Sequence, residues 1–189
     1  MKLESRKSEI IKTATKLFKK KGYSAVTMRD IAKSMGIKAA SLYNHINSKQ
    51  DILSNIIISL AEEFTHGMKI IKSSDINSIE KLKQIVTLHV TITTQNTNGM
   101  ASLNNDWMHL EEHLDSYLSL HSKYEDDFRE IIKEGILNNE IVNSNSDILL
   151  FSMLSTLRSL YIWIPKKEDL NPEVLSTELS NVLINGIST

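Results

Sequence analysis

Helix-breaking residues are rare in this chain, and their scarcity restricts the fold more than any other feature. Only two prolines and six glycines occur in 189 residues. No segment has the pattern of a β-hairpin, and no internal repeat is present. The sequence therefore predicts an all-α fold built from long helices.

Apolar residues recur at helical spacing along most of the chain. Ile10, Ala14 and Phe18 lie on one face of a first helix, over about residues 5–20, which Gly22 can end. Capping patterns then begin at Thr27 and Ser48. Together these signals predict helices over about residues 5–20, 27–36, 38–46, 48–71, 78–97, 100–112, 114–138, 146–163 and 172–187. Weak points are expected at Gly99, at residues 135–139 and between the two prolines.

Charge is distributed unevenly along the chain. Residues 1–49 carry twelve Lys and Arg against three acidic residues, whereas the remainder carries ten against twenty. This separation predicts an N-terminal part that binds a polyanion and a C-terminal part that repels one. A nucleic acid and an anionic membrane both satisfy the charge, so charge alone does not decide between them.

Residues 27–46 have the form of a helix-turn-helix. Gly36 lies in the tight turn, Ala32 is small where the two helices cross, and Ile37 and Leu42 can fill the space between them. A short, polar second helix fits the major groove of DNA. Its Asn44 can pair with adenine through two hydrogen bonds.

Eight residues in and around this motif are predicted to contact DNA. Lys38 can donate to guanine or to phosphate, and Tyr43 and Lys49 can donate to phosphate. Tyr43 at the edge of the core and Lys49 as a plain surface charge are the alternatives, and His45 is expected to pack locally. The predicted contact residues are Thr27, Arg29, Lys38, Ala39, Ser41, Tyr43, Asn44 and Lys49.

The segment from Gly22 to Leu53 resembles the N-terminal signature of the tetracycline-repressor (TetR) family. The matching positions are Gly22, Thr27, Ile31, Ala32, Gly36, Leu42, Tyr43, His45, Lys49 and Leu53. The resemblance implies a three-helix DNA-binding domain at residues 1–48 and a helical-bundle domain for ligand binding and dimerisation at 49–189. It also implies a homodimeric regulator, a repressor that a small molecule releases from a pseudo-palindromic operator. In the family, the positions of Thr27, Tyr43 and Lys49 contact the DNA backbone.

A second resemblance covers the C-terminal part. The strings YEDDFREIIKEGILNNEI and LRSLYIWIP resemble members of the same family that control fatty-acid or sterol degradation in response to acyl-CoA thioesters. The resemblance implies an effector of that class, which is an elongated apolar molecule with an anionic group at one end. Residues suited to contact it are His89, Thr93, Trp107, Tyr124, Phe128 and Arg158.

Arg158 lies within an otherwise apolar or small-residue stretch and therefore needs a partner. The partner is a carboxylate such as Glu130 or Glu134, or else the anionic ligand.

Other classes of function have less support. An enzyme or carrier built on a helical bundle would need a phosphate loop, a nucleophile elbow or a paired acid and base, and none is recognisable. We therefore expect no catalytic residues and no cofactor. His89, His109 and His113 offer metal-binding side chains without a confident third ligand, so no metal site is predicted.

The expected location is the cytoplasm. The chain has no cysteine and no signal-peptide pattern at its start. No run is expected to approach the roughly 18 apolar residues of a membrane span, so no membrane partner is predicted. The basic first helix also lacks the bulky aromatic wedge of a helix that lies on a membrane surface.

Overall fold

The computed structural model describes residues 5–185, and within that range the chain forms nine α-helices and no β-strand. The all-α prediction is confirmed. The helices are α1 (Arg6–Lys21), α2 (Met28–Ser34), α3 (Ala39–Leu42), α4 (Lys49–Ser73), α5 (Ser78–Gln95), α6 (Thr97–Asn105), α7 (Leu114–Leu137), α8 (Ser146–Trp163) and α9 (Pro172–Asn185). Single turns of 3₁₀ helix cover Trp107–His109, Glu111–His113 and Ile164–Lys166. The last two residues of the predicted helix 172–187 lie outside the described range.

Local capping residues set the helix ends near the predicted places. The Thr27 side chain and Asp30 form a reciprocal capping box at the start of α2. At the start of α4, the Ser48 hydroxyl accepts a hydrogen bond from the backbone N–H of Asp51 over 2.9 Å. Gly22 ends α1 with a φ of +83°, a backbone conformation that glycine adopts without strain.

Two predicted helices differ from the structure. The helix predicted over residues 100–112 begins earlier, at Thr97, and ends at Asn105, where 3₁₀ turns replace it. Glu111, with a φ of +46°, cannot continue an α-helix. The short helix predicted over 38–46 is α-helical only as far as Leu42, and residues 43–45 form a turn.

The chain divides into two compact units. The head unit comprises the chain as far as Ala61 together with Asn98–Leu118, and the body unit comprises Glu62–Thr97 and the chain from Ser119 onward. Helix α4 thus contributes residues to both units. The predicted domain boundary between residues 48 and 49 stays a prediction.

Each unit has an apolar core. In the head unit, buried side chains of α1, α2, α3 and α4 include Phe18, Ile31, Leu42 and Leu53. In the body unit, α5 packs against α8 and α9. Gly135 lies inside α7 and not at a break, and a close approach explains why a glycine is needed there: an added Cβ would lie 2.9 Å from the Cβ of Ser78.

One helical segment is more apolar than expected. Ser146–Lys166 is long and apolar enough to cross a membrane by length and composition alone, with a mean hydropathy of 1.4. The expectation that no stretch approaches a membrane span is therefore wrong for this segment. A single such helix is weak evidence of a span, because the core helix of a soluble protein has the same composition. Only 33% of an apolar 18-residue stretch of this segment is buried within this chain, which leaves much apolar surface uncovered.

Candidate nucleic-acid interface and ligand-binding residues

The helix-turn-helix is held by a small set of buried residues. Ile31 and Ala32 of α2 and Leu42 of α3 are buried, as is Ile46 in the following turn. Gly36 has a φ of +66°, so the chain reverses tightly between the two helices. This packing leaves the opposite side of α3 facing solvent.

Most of the predicted DNA-contacting residues are exposed to solvent. Six of the eight are exposed, and the Tyr43 side chain is 54% exposed despite its aromatic ring. Ala39 and Lys49 are half-buried. His45 is exposed as well, and its expected local role stays a prediction. The six exposed residues are Thr27, Arg29, Lys38, Ser41, Tyr43 and Asn44.

Thr27 has a defined role within the protein. Its hydroxyl donates to Asp30 Oδ2 over 2.6 Å, and the backbone N–H of Thr27 donates to the same oxygen over 2.9 Å. These hydrogen bonds lower the pKa of the Asp30 carboxyl, so the carboxylate stays ionised at the start of α2. Thr27 therefore fixes the start of the motif while remaining exposed at its surface.

Lys49 is bound to the protein backbone. Its Nζ donates to the carbonyl oxygens of Tyr23 and Val26, both over 2.9 Å, and lies 4.2 Å from the centroid of the Tyr23 ring. Burial lowers the pKa of this ammonium group. An ammonium group has three N–H donors, so one donor remains for another acceptor such as a phosphate.

A second contact set in the head unit was not predicted from the sequence. The Tyr23 ring stacks on the imidazole of His109 with 5.4 Å between centroids. The side-chain amide of Gln50 donates to the carbonyl oxygen of His109 over 2.6 Å. Burial, followed by the charges of Glu111 and Asp106, raises the pKa of Tyr23 to about 12. No sequence pattern marks these residues, because the partners are far apart along the chain.

Four of the predicted ligand-binding residues belong to one buried region of the body unit. His89 and Tyr124 are joined by a 2.7 Å hydrogen bond between Nε2 and the phenol oxygen. Phe128 is buried with its centroid 6.4 Å from that of Tyr124, and Thr93 is buried one turn beyond His89 on α5. Phe64 was missed: its ring lies 4.7 Å from the ring of His89.

The imidazole of His89 is neutral in this environment. Burial, and then the positive charge of Arg158, lower its pKa from 6.5 to about 3. Burial also raises the pKa of the Tyr124 phenol well above its usual value. Neither group ionises near neutral pH, so the pair offers polar but uncharged hydrogen-bonding groups.

Arg158 has partners other than the predicted ones. One Nη atom of its half-exposed guanidinium donates to Glu125 Oε1 over 2.6 Å and lies 2.9 Å from His121 Nε2. Glu130 and Glu134, the predicted partners, instead pair with lysine side chains. Glu125 and His121 are one turn apart on α7, so one face of that helix supplies both partners.

Trp107 belongs to the head unit, whereas the other five predicted ligand-binding residues belong to the body unit, and its ring stacks on Tyr117 at 5.8 Å. The three histidines considered for a metal also have separate surroundings: His89 contacts Tyr124, His109 contacts Tyr23, and His113 lies 3.7 Å from Glu112. Among residues 5–185, no group of three or more potential ligands is placed to hold a metal ion.

Comparison with known proteins matches both parts of the chain. Residues 10–56 match the family described as bacterial regulatory proteins of the tetR family, and residues 75–187 match the tetracyclin repressor-like C-terminal domain. The transcriptional repressor KstR2 of Rhodococcus jostii is 21% identical over 187 residues, which cover 97% of this chain and 92% of that protein. The matched relatives are transcriptional regulators and not enzymes.

Solved structures have the same fold. KstR2 of Mycobacterium tuberculosis, described as a ketosteroid transcriptional regulator, superposes with a TM-score of 0.92 at 18% identity and covers all of this chain and 97% of its own. AibR, solved with isovaleryl coenzyme A and operator DNA, has a TM-score of 0.78 at 20% identity and covers 94% of this chain and 97% of its own.

Proposed function

Because this chain belongs to the tetracycline-repressor family of bacterial transcriptional regulators, we propose that it is a homodimeric, cytoplasmic repressor released from its operator by a small anionic effector. The observation that carries the proposal is the exposed polar surface of α2, of α3 and of the residues that flank α3, in the basic head unit. A helix of this size, held by a buried underside, fits the major groove of duplex DNA.

Within that surface we assign two kinds of contact. Lys38, Ala39, Ser41 and Asn44 face the base edges, and an asparagine amide matches adenine with one donor and one acceptor. Thr27, Arg29, Tyr43 and Lys49 contact phosphates, which positions the protein without selecting a sequence. The third donor of Lys49 serves this purpose while the other two hold the head unit together.

Dimerisation is supported by the uncovered face of α8. Phe151 is 73% exposed, and Ile148 and Ile162 share the same helical face with it. Ser152, Ser155 and Ser159 are also exposed on this helix and are small enough to let a second helix approach closely. The second copy of the chain is the occupant that best explains this surface, since a two-fold axis places the same apolar stripe on both sides of the interface. Exposed Val174 and Val182 of α9 extend it.

The effector we propose is an acyl-CoA thioester or a similar apolar anion bound by the body unit. His89, Thr93, Tyr124 and Phe128 supply a mostly apolar surface with a few polar groups, and Arg158 supplies a cation. AibR, a structural neighbour, was solved with such a thioester and with operator DNA. Trp107, which the sequence also predicts to contact the effector, belongs to the head unit, and its role stays a prediction.

The test has two stages. Selection of binding sites from genomic DNA should yield a pseudo-palindrome with half-sites separated by whole helical turns. The complex with that operator is then titrated with thioesters of graded acyl length and with the matching free acids. We expect a thioester to weaken operator binding by about 5- to 150-fold, the usual range of allosteric coupling. If no thioester changes DNA affinity, the effector class is wrong, whereas absence of any selected DNA would contradict the function itself.

Arg158 provides the matched variant for the effector. Its guanidinium already pairs with Glu125, so an anionic head must share or displace that carboxylate. Arg158→Ala should blunt the response to the thioester and leave ligand-free operator binding nearly intact. Arg129→Ala, which removes an arginine paired with Asp126 and Asp147 in the same unit, is the control and should keep the normal response.

A further inference from the structure

Two buried polar atoms on α5 have no hydrogen-bond partner among residues 5–185. They are Nδ1 of His89 and Oγ1 of Thr93. Residues four apart lie on the same face of a helix, with side chains about 5–6 Å apart. Both residues are more than nine-tenths buried, so these two atoms form an unsatisfied polar pair inside the body unit.

The bond between His89 and Tyr124 indicates which histidine nitrogen carries the proton. A buried phenol O–H needs an acceptor, and the distance from the phenol oxygen to Nε2 is 2.7 Å. When the phenol donates to Nε2, the neutral imidazole must carry its single proton on Nδ1. The unpartnered Nδ1 is then a hydrogen-bond donor that lacks an acceptor.

Thr93 differs from three other threonines near it in the sequence. The hydroxyls of Thr87, Thr94 and Thr97 each donate to the backbone carbonyl four residues earlier, as threonines in helices commonly do. The Thr93 hydroxyl makes no such bond although the side chain is fully buried. The Thr93 hydroxyl is therefore a second donor without an acceptor, in addition to the Nδ1–H group of His89.

We propose that the ligand of the body unit has a carbonyl oxygen within its apolar part, and that His89 and Thr93 recognise this oxygen together. A carbonyl oxygen has two lone pairs, and the two donors one turn apart supply one hydrogen bond to each. Tyr124 acts through His89 as a positioning residue, because its hydroxyl selects the tautomer. This inference rests on the proposal that the body unit binds a small ligand, and it specifies a polar group distinct from the anionic head.

The test uses two small probes of nearly equal shape, cyclohexanone and methylenecyclohexane, which differ in having C=O or C=CH₂. The full-length protein is labelled with ¹⁵N-histidine, and long-range ¹H–¹⁵N spectra report the tautomer of His89. We expect the Nδ1–H tautomer in the free protein and a shift of the Nδ1 signal on addition of cyclohexanone only. Thr93→Val should weaken cyclohexanone binding by roughly tenfold, equivalent to about one hydrogen bond of 1.4 kcal/mol.

Thr94→Val is the control, since Thr94 already donates to Val90, and it should leave cyclohexanone binding unchanged. A second measurement needs no probe: Thr93→Val should raise the melting temperature of the ligand-free protein, because it removes an unsatisfied buried hydroxyl. An Nε2–H tautomer, a lower melting temperature, equal binding of the two probes, or no binding of either would overturn the proposal. Neither probe carries an anionic head and no DNA is present, so failure of the acyl-CoA titration would be a separate result.

Discussion

Lys49 donates a hydrogen bond from its Nζ to the backbone carbonyl oxygen of Tyr23. The ammonium group at the first residue of α4 donates to the backbone oxygen of Tyr23 in the turn between α1 and α2, 26 residues earlier, and lies over the Tyr23 ring. Lys49 is thus expected to contact DNA, and it also connects α4 to the turn between α1 and α2 within the head unit. The two roles have different consequences for stability and for DNA binding, and they can be separated by measurement.

Lys49→Met keeps the apolar stem and removes all three donors. We expect the free energy of unfolding to fall by about 1–3 kcal/mol, because two carbonyl oxygens lose their shared donor. DNA affinity should fall equally for operator and random sequences, with the salt slope reduced by about one unit. Urea unfolding and salt-dependent binding measure the two effects. The control is Lys38→Met, which replaces an exposed lysine in the same unit and should change DNA binding without changing stability. An unchanged stability for Lys49→Met would show that the hydrogen bonds to Tyr23 and Val26 contribute little.

Asn44→Ala tests base recognition by α3. Because Asn44 is exposed, its removal should not affect folding. Binding to the operator should weaken by about 1–3 kcal/mol, the usual discrimination of a bidentate contact, while binding to random DNA stays nearly constant. Fluorescence anisotropy with both DNAs measures the difference. Equal losses on the two DNAs would remove Asn44 from the base-contacting residues.

Phe151→Asp tests the proposed dimer. A charge in the centre of the uncovered α8 face should convert the dimer to a monomer at micromolar concentration, since an unpaired charge cannot be buried between the two copies without a large penalty. Sedimentation velocity measures the mass. Ile70→Asp replaces another exposed apolar residue, on α4 instead of α8, and should leave the dimer intact. Wild-type protein that sediments as a monomer would refute the interface.

The low pKa of His89 in the folded protein predicts a loss of stability in acid. The unfolded chain protonates this imidazole near pH 6.5, whereas burial and Arg158 hold its pKa in the folded protein at about 3. Between these values the unfolded state binds more protons, so stability falls as the pH is lowered through that window, by up to about 1.4 kcal/mol per pH unit. Above pH 6.5 the effect vanishes.

Chemical unfolding of wild type and His89→Phe at pH 7.0, 5.5 and 4.5 measures this contribution. The variant should have the shallower dependence on pH over that range. His121, whose pKa burial also lowers, is present in both proteins and cancels in the comparison. The Asp127 carboxyl also loses stabilising energy in acid, because hydrogen bonds from Lys72 and Lys123 outweigh its burial and lower its pKa, but it too is present in both proteins and cancels. Parallel pH profiles for the two proteins would show that His89 accepts a proton while folded.

The sequence alone determined the helical fold, most helix ends and the helix-turn-helix. These features depend on interactions between residues that are close along the chain, such as the capping of α2 by Thr27 and Asp30. Capping and apolar spacing act over three or four residues, so they can be recognised in a linear string. The family resemblance rested on the same local segment. The prediction failed at residues 106–112, where apolar and helix-favouring residues form 3₁₀ turns and Glu111 takes a positive φ.

Only the tertiary structure decided the partners of the functional side chains. Arg158 is 33 residues from Glu125, and His89 is 35 residues from Tyr124. Several carboxylates on α7 were equally plausible partners for Arg158 from the sequence, because helical spacing specifies a face and not the neighbour that meets it. The same holds for Lys49 and Tyr23, since a backbone carbonyl carries no signature in the sequence. Such pairings arise when helices that are distant in sequence pack together. A polar group that is removed from water must be paired, so it bonds to the partner that the packing brings within reach.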